Sequence, residues 1–378
     1  MKFFSIICEF NPFHTGHRHL IQQTKAKTGA DAIVCIMSGS MVQRGDVAIY
    51  DKWARAKAAI KNGADLVVEL PVCYVLQSAD IIARGGVEIA EKMGTYGIAF
   101  GSECTDESLL WEMAEIKACE PSLYSEKLKQ AMDSGVGYPA ACKIAMESVL
   151  GKSCEDITNP NTTLGVSYMA NILKINPRIK IHTEKRIGDY HSADLSGEFA
   201  SATAIREKIL SGDKICDFSL CTSDDIYDIN ILSPYILGFF RTANEKNLER
   251  ISGMEDGLAN RLIQKSKETT SYEDFVNECV TKRYTRHRIR RLILCSLLGI
   301  DKIYETNYVR VLALNDKGAK ILKQIKKEGN IEVITKLGNT VPNLSLKKDI
   351  LATDIASLCA GKKASMDYIK SPYIYPKE

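Results

Sequence analysis

The chain has 378 residues, of which 45% are hydrophobic and 26% charged, and its formal net charge at pH 7 is +3. This length predicts two or three domains, and the small net charge excludes a polycation, so any nucleic-acid site must be a local basic patch. No apolar run approaches the ~20 residues that span a bilayer, and the N-terminus lacks a secretory leader, so we expect no membrane association and a cytoplasmic location.

The 12 cysteines are scattered along the chain, and none belongs to a Cys-x-x-Cys pair. This spacing argues against a structural zinc site, and we expect no protein-held metal. Cys8, Cys35 and Cys295 lie within apolar segments, which is typical of small buried side chains in a protein of a reducing compartment.

The first predicted element is a buried strand over residues 3–8, which ends before Asn11-Pro12 and is followed by a helix opening near Gly16. A short apolar run of this kind is typical of an interior strand of a parallel sheet. His14 and His17 flank a glycine at which a ligand can approach the backbone. The free N–H groups of the helix point to the same place. The stretch therefore predicts a phosphate site in which two imidazoles stabilise growing charge.

Strands then alternate with helices. We expect strands at residues 32–37, 64–70, 96–100 and 179–183, and helices at residues 51–61, 72–84, 87–92 and 164–173, with further helices between 106 and 150. This alternation predicts an α/β fold, a Rossmann-like doubly wound parallel sheet with right-handed crossovers. Ligands of such sheets bind where strands end, as at Ser38 to Asp46 and at Gly101.

A loop rich in Gly, Asp and Ser leads to Ser201, after which another helix opens. Serine or threonine before a helix is ordinarily an N-cap. The alternative interpretation is that Thr203, the helix amides and Arg206 hold phosphate. Both interpretations stay open on the residues alone.

Beyond about residue 211 the chain is predicted to be mainly helical, with a small α+β portion from strands at residues 308–314 and 331–336 and a helix at 317–326. We therefore expect two domains, an α/β domain at 1–210 and a mainly helical domain at 211–378. The tail, residues 369–378, is expected to pack across the surface.

One basic run stands out in this second part, because six of the ten residues at 282–291 are Lys or Arg and none is acidic. Helical spacing would place Arg283, Arg286 and Arg290 on one face. A charge run is usually a solvated face, but arginines without compensating acids favour contact with phosphates. We therefore predict an RNA-backbone site formed by Lys282, Arg283, Arg286, Arg288 and Arg290.

The apolar strand followed by Asn11-Pro12-Phe13-His14-Thr15-Gly16-His17 resembles the nucleotidyltransferase superfamily, whose members bind ATP over this turn and attack its α-phosphate. Residues 201–206 resemble the superfamily's late Ser-Ser-Thr-x-x-Arg motif, with Ala202 in place of the second serine. The Lys-Met-Ser-Lys-Ser loop of class I aminoacyl-tRNA synthetases is absent, which argues against a synthetase.

Shorter motifs along most of the chain together resemble the bacterial tRNA(Met) cytidine acetate ligase family. They are Met37-Ser38-Gly39, Gln43-Arg44-Gly45, residues 51–56, residues 65–71, Gly101-Ser102-Glu103, Pro160-Asn161 with Leu164-Gly165, Lys185-Arg186 and residues 282–285. The departures are small: Met41, Val47 and Thr163 stand where Phe, Pro and Ile are expected.

This resemblance implies an enzyme that activates acetate with ATP and acetylates N4 of the wobble cytidine of elongator tRNA(Met), giving N4-acetylcytidine. It implies His14, His17 and Arg206 as catalytic residues, and Mg²⁺ that arrives with ATP. The implied ATP-binding residues are Ile7, Cys8, Glu9, Phe10, Asn11, Pro12, Phe13, His14, Thr15, Gly16, His17, Arg18, His19, Leu20, Gly101, Asn161, Arg186 and Thr203.

Two other functions remain open on the sequence. A small-molecule adenylyltransferase of cofactor biosynthesis would share the histidine and Thr203–Arg206 features, but it leaves the basic run unexplained. A catalytically inert RNA-binding protein on the same scaffold would not need His14, His17 and Arg206. The sequence does not determine the acid's size or the oligomeric state, and the choice of tRNA rests on the family resemblance.

Overall fold

A computed structural model describes residues 1–186, 201–212, 219–328, 330–338 and 341–376 of the chain. The predicted loop rich in Gly, Asp and Ser that precedes Ser201 lies outside these residues. None of the helices in the described ranges is long and apolar enough to cross a membrane.

The first 186 residues contain seven strands and eight helices, together with a short 3-10 helix at Glu155–Thr158. In chain order they are β1 (Phe3–Cys8), α1 (Thr15–Thr28), β2 (Ala32–Ser38), β3 (Met41–Val42), β4 (Asp46–Val47), α2 (Lys52–Lys61), β5 (Leu66–Leu70), α3 (Val72–Val75), α4 (Ala79–Lys92), β6 (Gly97–Ser102), α5 (Glu107–Cys119), α6 (Ser122–Asp133), α7 (Tyr138–Leu150), α8 (Pro160–Ile175) and β7 (Lys180–Lys185).

The described residues from 201 onward add nine helices and three strands, with a 3-10 helix at Ile229–Leu232. They are α9 (Ala202–Leu210), α10 (Ser233–Thr242), α11 (Glu245–Leu248), α12 (Leu258–Glu268), α13 (Tyr272–Cys279), α14 (Arg286–Leu298), β8 (Tyr308–Leu314), α15 (Asp316–Glu328), β9 (Glu332–Ile334), α16 (Leu344–Leu358), α17 (Met366–Ile369) and β10 (Tyr373–Ile374).

The central sheet has the strand order β10-β8-β5-β2-β1-β6-β7, and β9 pairs with the first residues of β8, Tyr308–Arg310, whereas β10 pairs with the last two. β5, β2, β1, β6 and β7 are parallel neighbours. Every residue of β2 and β5 is buried, because helices cover both faces of a parallel sheet. The predicted α/β class is confirmed. Since β1, β6 and β7 are parallel, their carboxyl ends open on one edge of the sheet.

The sheet also contains strands that the periodicity did not place there. β8 pairs antiparallel with β5, and β10, in the tail, pairs parallel with β8. Strands from the second part of the chain therefore extend the sheet of the first part. The division into 1–210 and 211–378 stays a prediction, and the tail extends the sheet as its edge strand.

Several helix boundaries differ from the prediction, and the helix expected at 72–84 is interrupted between α3, which ends at Val75, and α4, which begins at Ala79. α4 runs without a break through Gly85 and Gly86, where a Cβ would stand 2.3 Å from Tyr74 and 2.5 Å from Ile7. The glycines thus permit close packing against the neighbouring elements rather than ending the helix. α8 begins at Pro160, four residues earlier than predicted, since proline is well suited to the first helical position.

Candidate active site

The loop between β1 and α1 is held from two directions. The side-chain oxygen of Asn11 accepts a hydrogen bond from the Ile49 amide at 2.8 Å. The main-chain carbonyl oxygen of Asn11 accepts one from Arg206 Nη1 at 2.8 Å. Phe10 has a positive φ of 49° and packs its ring against Phe13 at a centroid distance of 4.7 Å. These contacts fix the loop that presents the histidines.

His14 and His17 lie against each other at the start of α1, with ring centroids 3.8 Å apart. His14 is the N-cap of α1, and its Nδ1 accepts the Gly16 amide at 3.1 Å. His17 Nδ1 accepts the His14 amide at 3.2 Å, which completes a capping box. Because both Nδ1 atoms accept, each neutral ring carries its hydrogen on Nε2 and offers it as a donor.

Both rings are neutral at physiological pH. Burial, with smaller contributions from the charges of Arg186 and Arg206, lowers the pKa of His14 to about 3. Burial also lowers the pKa of His17, assisted by His14 and Arg186. The two imidazoles therefore act as hydrogen-bond donors within the field of two arginines, an arrangement that suits a polyphosphate.

Arg206 reaches the histidine loop from α9. Ser201 caps this helix by accepting the Ala204 amide at 3.1 Å, so its ordinary N-cap interpretation is confirmed. Thr203 Oγ1 accepts from Arg206 Nη2 at 3.1 Å, which orients the guanidinium. Arg206 of α9 thus contacts the loop that precedes α1, as the phosphate interpretation requires.

A second group of predicted residues lies at the carboxyl end of β6. Asn161, in the first turn of α8, donates to Glu103 Oε1 at 2.6 Å and accepts from Arg186 Nη1 at 3.4 Å. Gly101 is packed against Arg186, whose Cγ would stand 3.2 Å from a Cβ at that glycine. The fold therefore brings together Gly101, Asn161 and Arg186, which come from three separate elements.

Glu103 is a residue of this group that the sequence analysis did not assign. Its Oε2 accepts from the Thr162 amide at 2.8 Å and from the Thr162 hydroxyl at 3.0 Å. It thereby fixes the start of α8 and the orientation of Asn161. The sequence shows that Glu103 directly follows a predicted strand, which is a common place for site residues. It does not show which residues Glu103 contacts.

Several other residues of the 7–20 stretch lie at the end of β1 or within α1. Ile7 and Cys8 end β1, and burial raises the pKa of the Cys8 thiol. Arg18, His19 and Leu20 continue α1 beyond the histidines. Thr15 Oγ1 is buried without a hydrogen-bond partner within the described part of the chain. An orphaned donor beside Gly16 is what a phosphate oxygen would satisfy.

Arg55 is another residue that the sequence analysis left without a role. It is fully buried, and it donates to the carbonyls of Glu9 at 2.5 Å, Ser38 at 3.1 Å and Tyr50 at 3.0 Å. It also donates to the Gly39 carbonyl. This one side chain ties the ends of β1 and β2 to the start of α2, so it supports the site without facing it.

The basic run differs from its prediction in two respects. α14 begins at Arg286, so Arg283 precedes the helix and does not share a helix face with Arg286 and Arg290. The expected lack of compensating acids is wrong, because Glu255 and Glu273 come from other segments. Arg283 lies 2.7 Å from Glu255, which also pairs with Arg288, while Glu273 pairs with both Arg286 and Arg290.

Exposure separates the members of this run. The side chain of Arg283 is 73% exposed, whereas that of Arg290 is 13% exposed and also pairs with Asp46 at 3.1 Å. Arg290 therefore has a structural role, because it links α14 to Asp46 and Glu273. Lys282 and Arg283 are the members of the run most exposed to solvent. The sequence could not show this, because the pairing acids lie far away along the chain.

The site thus combines two neutral hydrogen-bond donors, two arginines and a helix N-terminus that contains a glycine. Such groups can position a triphosphate and stabilise its charge. Among the residues that the structure describes, no group of three or more His, Cys, Asp or Glu could hold a metal ion. A divalent ion here would have to be bound through the phosphates themselves.

Known proteins resemble this chain in both sequence and structure. A family model described as HIGH Nucleotidyl Transferase matches residues 1–370. A tRNA(Met) cytidine acetate ligase of Clostridium perfringens is 34% identical over 402 aligned residues, covering 99% of this chain and 100% of the relative. Those of Clostridium kluyveri and Acetivibrio thermocellus are 35% and 32% identical, with coverage of 98% or more of each chain.

Solved structures agree with these sequence matches. The apo crystal structure of Thermotoga maritima TmcAL superposes with a TM-score of 0.90 at 29% identity, covering 100% of both chains. The same protein bound with alpha-thio ATP gives a TM-score of 0.89 over the same coverage.

Proposed function

The chain belongs to the HIGH nucleotidyl transferase family and, within it, to the tRNA(Met) cytidine acetate ligases, and from this we propose that it acetylates elongator tRNA(Met) with acetate and ATP. The observation that carries the first half of the reaction is the stacked pair His14 and His17, neutral and donating from Nε2, with Arg206 beside them. Relatives covering nearly the whole chain supply the identity of the acceptor.

In the first step an acetate oxygen attacks the α-phosphorus of ATP, the bond to the bridging oxygen breaks, and pyrophosphate leaves with its electron pair. His14, His17 and the α1 amides would donate to the phosphate oxygens, where negative charge grows in the transition state. Arg206 and Arg186 would neutralise the triphosphate. Neutral donors are suited to this task, since they are already oriented before charge develops.

Gly101 and Asn161 would face the adenosine. A Cβ at position 101 would stand 3.2 Å from Arg186 Cγ, closer than an ordinary contact, and the Asn161 side-chain amide donates to Glu103. The other members of the 7–20 stretch and Thr203 would complete the ATP site. Mg²⁺ would accompany the triphosphate and supply charge neutralisation there.

In the second step the exocyclic amine of the wobble cytidine attacks the acyl carbon of acetyl-adenylate, AMP leaves, and a proton is released. The cytidine must be presented out of its stack, as is usual for recognition of single-stranded loops. Lys282, Arg283, Arg286, Arg288 and Arg290 are the proposed tRNA-backbone residues, and among them Lys282 and Arg283 have the freest side chains.

We keep the division into a catalytic part, 1–210, and a tRNA-binding part, 211–378, as part of the proposal. A cytoplasmic location goes with it, since tRNA is the substrate. The two alternative functions are not favoured, because the curated relatives that cover this chain are named as the ligase, and the inert scaffold would not need the histidine arrangement.

The test is one reaction containing the purified protein, ATP, Mg²⁺, isotopically labelled acetate and total tRNA, followed by nucleoside mass spectrometry. We expect labelled N4-acetylcytidine that depends on ATP and is lost in a His14→Asn variant. ATP consumption with phosphorylated cofactor precursors, without label in RNA, would overturn the proposal in favour of the adenylyltransferase. A reaction without Mg²⁺ tests the assignment of the metal ion. A reaction with propionate in place of acetate tests the size of the acid.

A further inference from the structure

Glu103, directly after β6, uses both of its carboxylate oxygens to hold the first turn of α8. Its Oε1 accepts a hydrogen bond from the side-chain amide of Asn161 at 2.6 Å. Its Oε2 accepts from the Thr162 amide at 2.8 Å and from the Thr162 hydroxyl at 3.0 Å. Each oxygen therefore has its own donor residue, and the acid joins the carboxyl end of a strand to the amino end of a helix.

These contacts leave a single orientation for the Asn161 side chain. The carboxylate of Glu103 can only accept from it, whereas Arg186 Nη1, which lies 3.4 Å from Asn161 Oδ1, can only donate. The nitrogen must therefore face the acid and the oxygen must face the arginine. Beyond these two contacts, the Asn161 amide has one further hydrogen and one further lone pair with which to bind a ligand.

Arg186 is held mainly by the backbone of β6. Its main-chain amide donates to the Ser102 carbonyl at 3.0 Å, and its Cγ would stand 3.2 Å from a Cβ at Gly101. The distance from its Nε to Glu103 Oε1 is long, at 4.0 Å. Asn161 is thus the residue of this group whose position depends most directly on Glu103.

The charge of Glu103 determines which part of a nucleotide suits this place. The amino end of a helix attracts anions, because its first amides point outward and its dipole is positive there. At α8 the Glu103 carboxylate already takes this position by accepting the Thr162 amide. A phosphate at the same end would be repelled by the carboxylate, whereas an uncharged base and ribose would not. The start of α8 is therefore suited to the adenosine of ATP and not to its phosphates.

We propose that Glu103 is a positioning residue for ATP, which keeps phosphates away from α8 and holds the Asn161 amide in the orientation that binds the adenosine. This inference rests on the proposed function, since it takes ATP as the substrate of the first step. Both oxygens of Glu103 are engaged by α8, so the acid acts on the nucleotide through Asn161. Its effect on ATP should consequently disappear when Asn161 is removed.

The test measures equilibrium binding of ATP, without acetate or tRNA, to the wild type, Glu103→Gln, Asn161→Ala and the double variant. Glutamine has an acceptor oxygen on one side only, so its NH₂ group would face the donor of either Asn161 or Thr162. We expect Glu103→Gln to weaken ATP binding about tenfold, and Asn161→Ala to weaken it about as much. The double variant should bind ATP about as well as Asn161→Ala alone, because the two residues act as one unit.

Two further measurements separate the parts of the nucleotide and supply a control. Glu103→Gln should weaken adenosine binding by the same factor as ATP binding, whereas pyrophosphate should bind no more weakly than to the wild type, since a repelling charge has been removed. Glu112→Gln is the matched control, because Glu112 pairs with Lys152 at 3.0 Å with both side chains about half exposed. That variant should bind all three ligands like the wild type.

Losses that multiply in the double variant would overturn the inference, because Glu103 would then stabilise α8 without acting through Asn161. Wild-type ATP affinity in Glu103→Gln, or a loss confined to pyrophosphate, would overturn it as well. Thermal unfolding checks folding, and if Glu103→Gln unfolds early, Glu103→Asp, whose shorter side chain keeps the charge at α8, carries the same cycle. Binding is measured apart from the chemistry, so a protein that shows the expected cycle but forms no acetylcytidine would contradict the proposed function alone.

Discussion

His14 has one structural role at the start of α1 and one proposed role. Its Nδ1 caps the helix by accepting the Gly16 amide, and its Nε2 hydrogen is proposed to donate to phosphate. A substitution by alanine would remove both, and a lost cap alone costs about 1 kcal/mol of stability. Asparagine is a good N-cap but lacks a donor at the Nε2 position, so it separates the two roles.

We therefore expect His14→Asn to fold with a melting temperature close to that of the wild type and to lose about 10²-fold or more in acetate-dependent ATP–pyrophosphate exchange. Affinity for tRNA should stay within about twofold, because His14 does not belong to the proposed tRNA surface. Exchange that falls less than about fivefold would show that His14 serves the helix and not the reaction.

The neutral state of His14 also predicts a pH dependence of stability. Its pKa in the folded chain is about 3, below the ordinary value of 6.5, so between these values the unfolded chain binds a proton that the folded chain does not. Stability contributed by this group is present above pH 6.5 and is lost as the pH falls, by at most ~1.4 kcal/mol per pH unit.

Urea unfolding at pH 7.5 and pH 5 measures this effect. The free energy of unfolding should fall less between these values in His14→Asn than in the wild type, since asparagine does not titrate. Comparing the two proteins cancels other buried groups, such as Asp46, whose pKa burial raises to about 6. Equal losses in both proteins would contradict a buried neutral His14.

At the scale of elements, the basic run has a structural part within α14 and an exposed part that precedes the helix. From Ile289 onward the apolar side chains of α14 enter the core, and Arg290 is packed between Asp46 of the β3–β4 hairpin and Glu273 of α13. Before the helix begins, Lys282 and Arg283 extend toward solvent. The charge run that looks uniform in the sequence is therefore divided between folding and the proposed RNA contact.

Arg290→Ala should consequently lower the stability of the protein, whereas Arg283→Ala should weaken tRNA binding. The first removes the partner that Asp46 and Glu273 share, and because Arg290 itself is mostly buried while the two acids are partly exposed, it should cost about 1–3 kcal/mol in urea unfolding. The second removes an exposed pair worth at most ~1 kcal/mol and should instead weaken tRNA binding in a salt-dependent manner. Equal stabilities of the two variants would contradict this division of the run.

At the scale of the whole molecule, a buried ion network joins the first and last parts of the chain. Asp367 of α17 lies 2.9 Å from Lys52 Nζ and 3.2 Å from Arg310 Nη2. Lys52 also pairs with Glu69 of β5 at 2.7 Å, and all four side chains are almost fully buried. The C-terminal segment thereby neutralises two buried cations, Lys52 of α2 and Arg310 of β8.

Asp367→Ala should destabilise the whole fold by about 3–5 kcal/mol, since two buried cations lose a shared carboxylate. Lys362→Ala is the matched control, because Lys362 pairs with Asp225 at 2.7 Å on the surface, with both side chains more than 30% exposed. That variant should cost no more than ~1 kcal/mol in denaturant unfolding. A cost for Asp367→Ala as small as that of Lys362→Ala would contradict the network's role.

Periodicity predicted elements with strong local signals. β1, β2 and the strand at 308–314 were anticipated nearly to the residue, because short apolar runs between turns have few alternative structures. The pairing of β8 with β5, by contrast, joins residues about 240 positions apart, and no local pattern states that a strand will run antiparallel to a parallel sheet. Register and neighbour are properties of the assembled sheet.

By itself the sequence determined the α/β class, the histidine turn and the convergence of predicted residues at the strand ends, because side-chain period and turn chemistry act within a few residues. Only the tertiary structure decided the neutral state of His14 and His17, the acids that pair the basic run, and the hydrogen bonds that join Glu103 to α8. These depend on burial and on charges brought together from distant parts of the chain, which only the folded molecule sets.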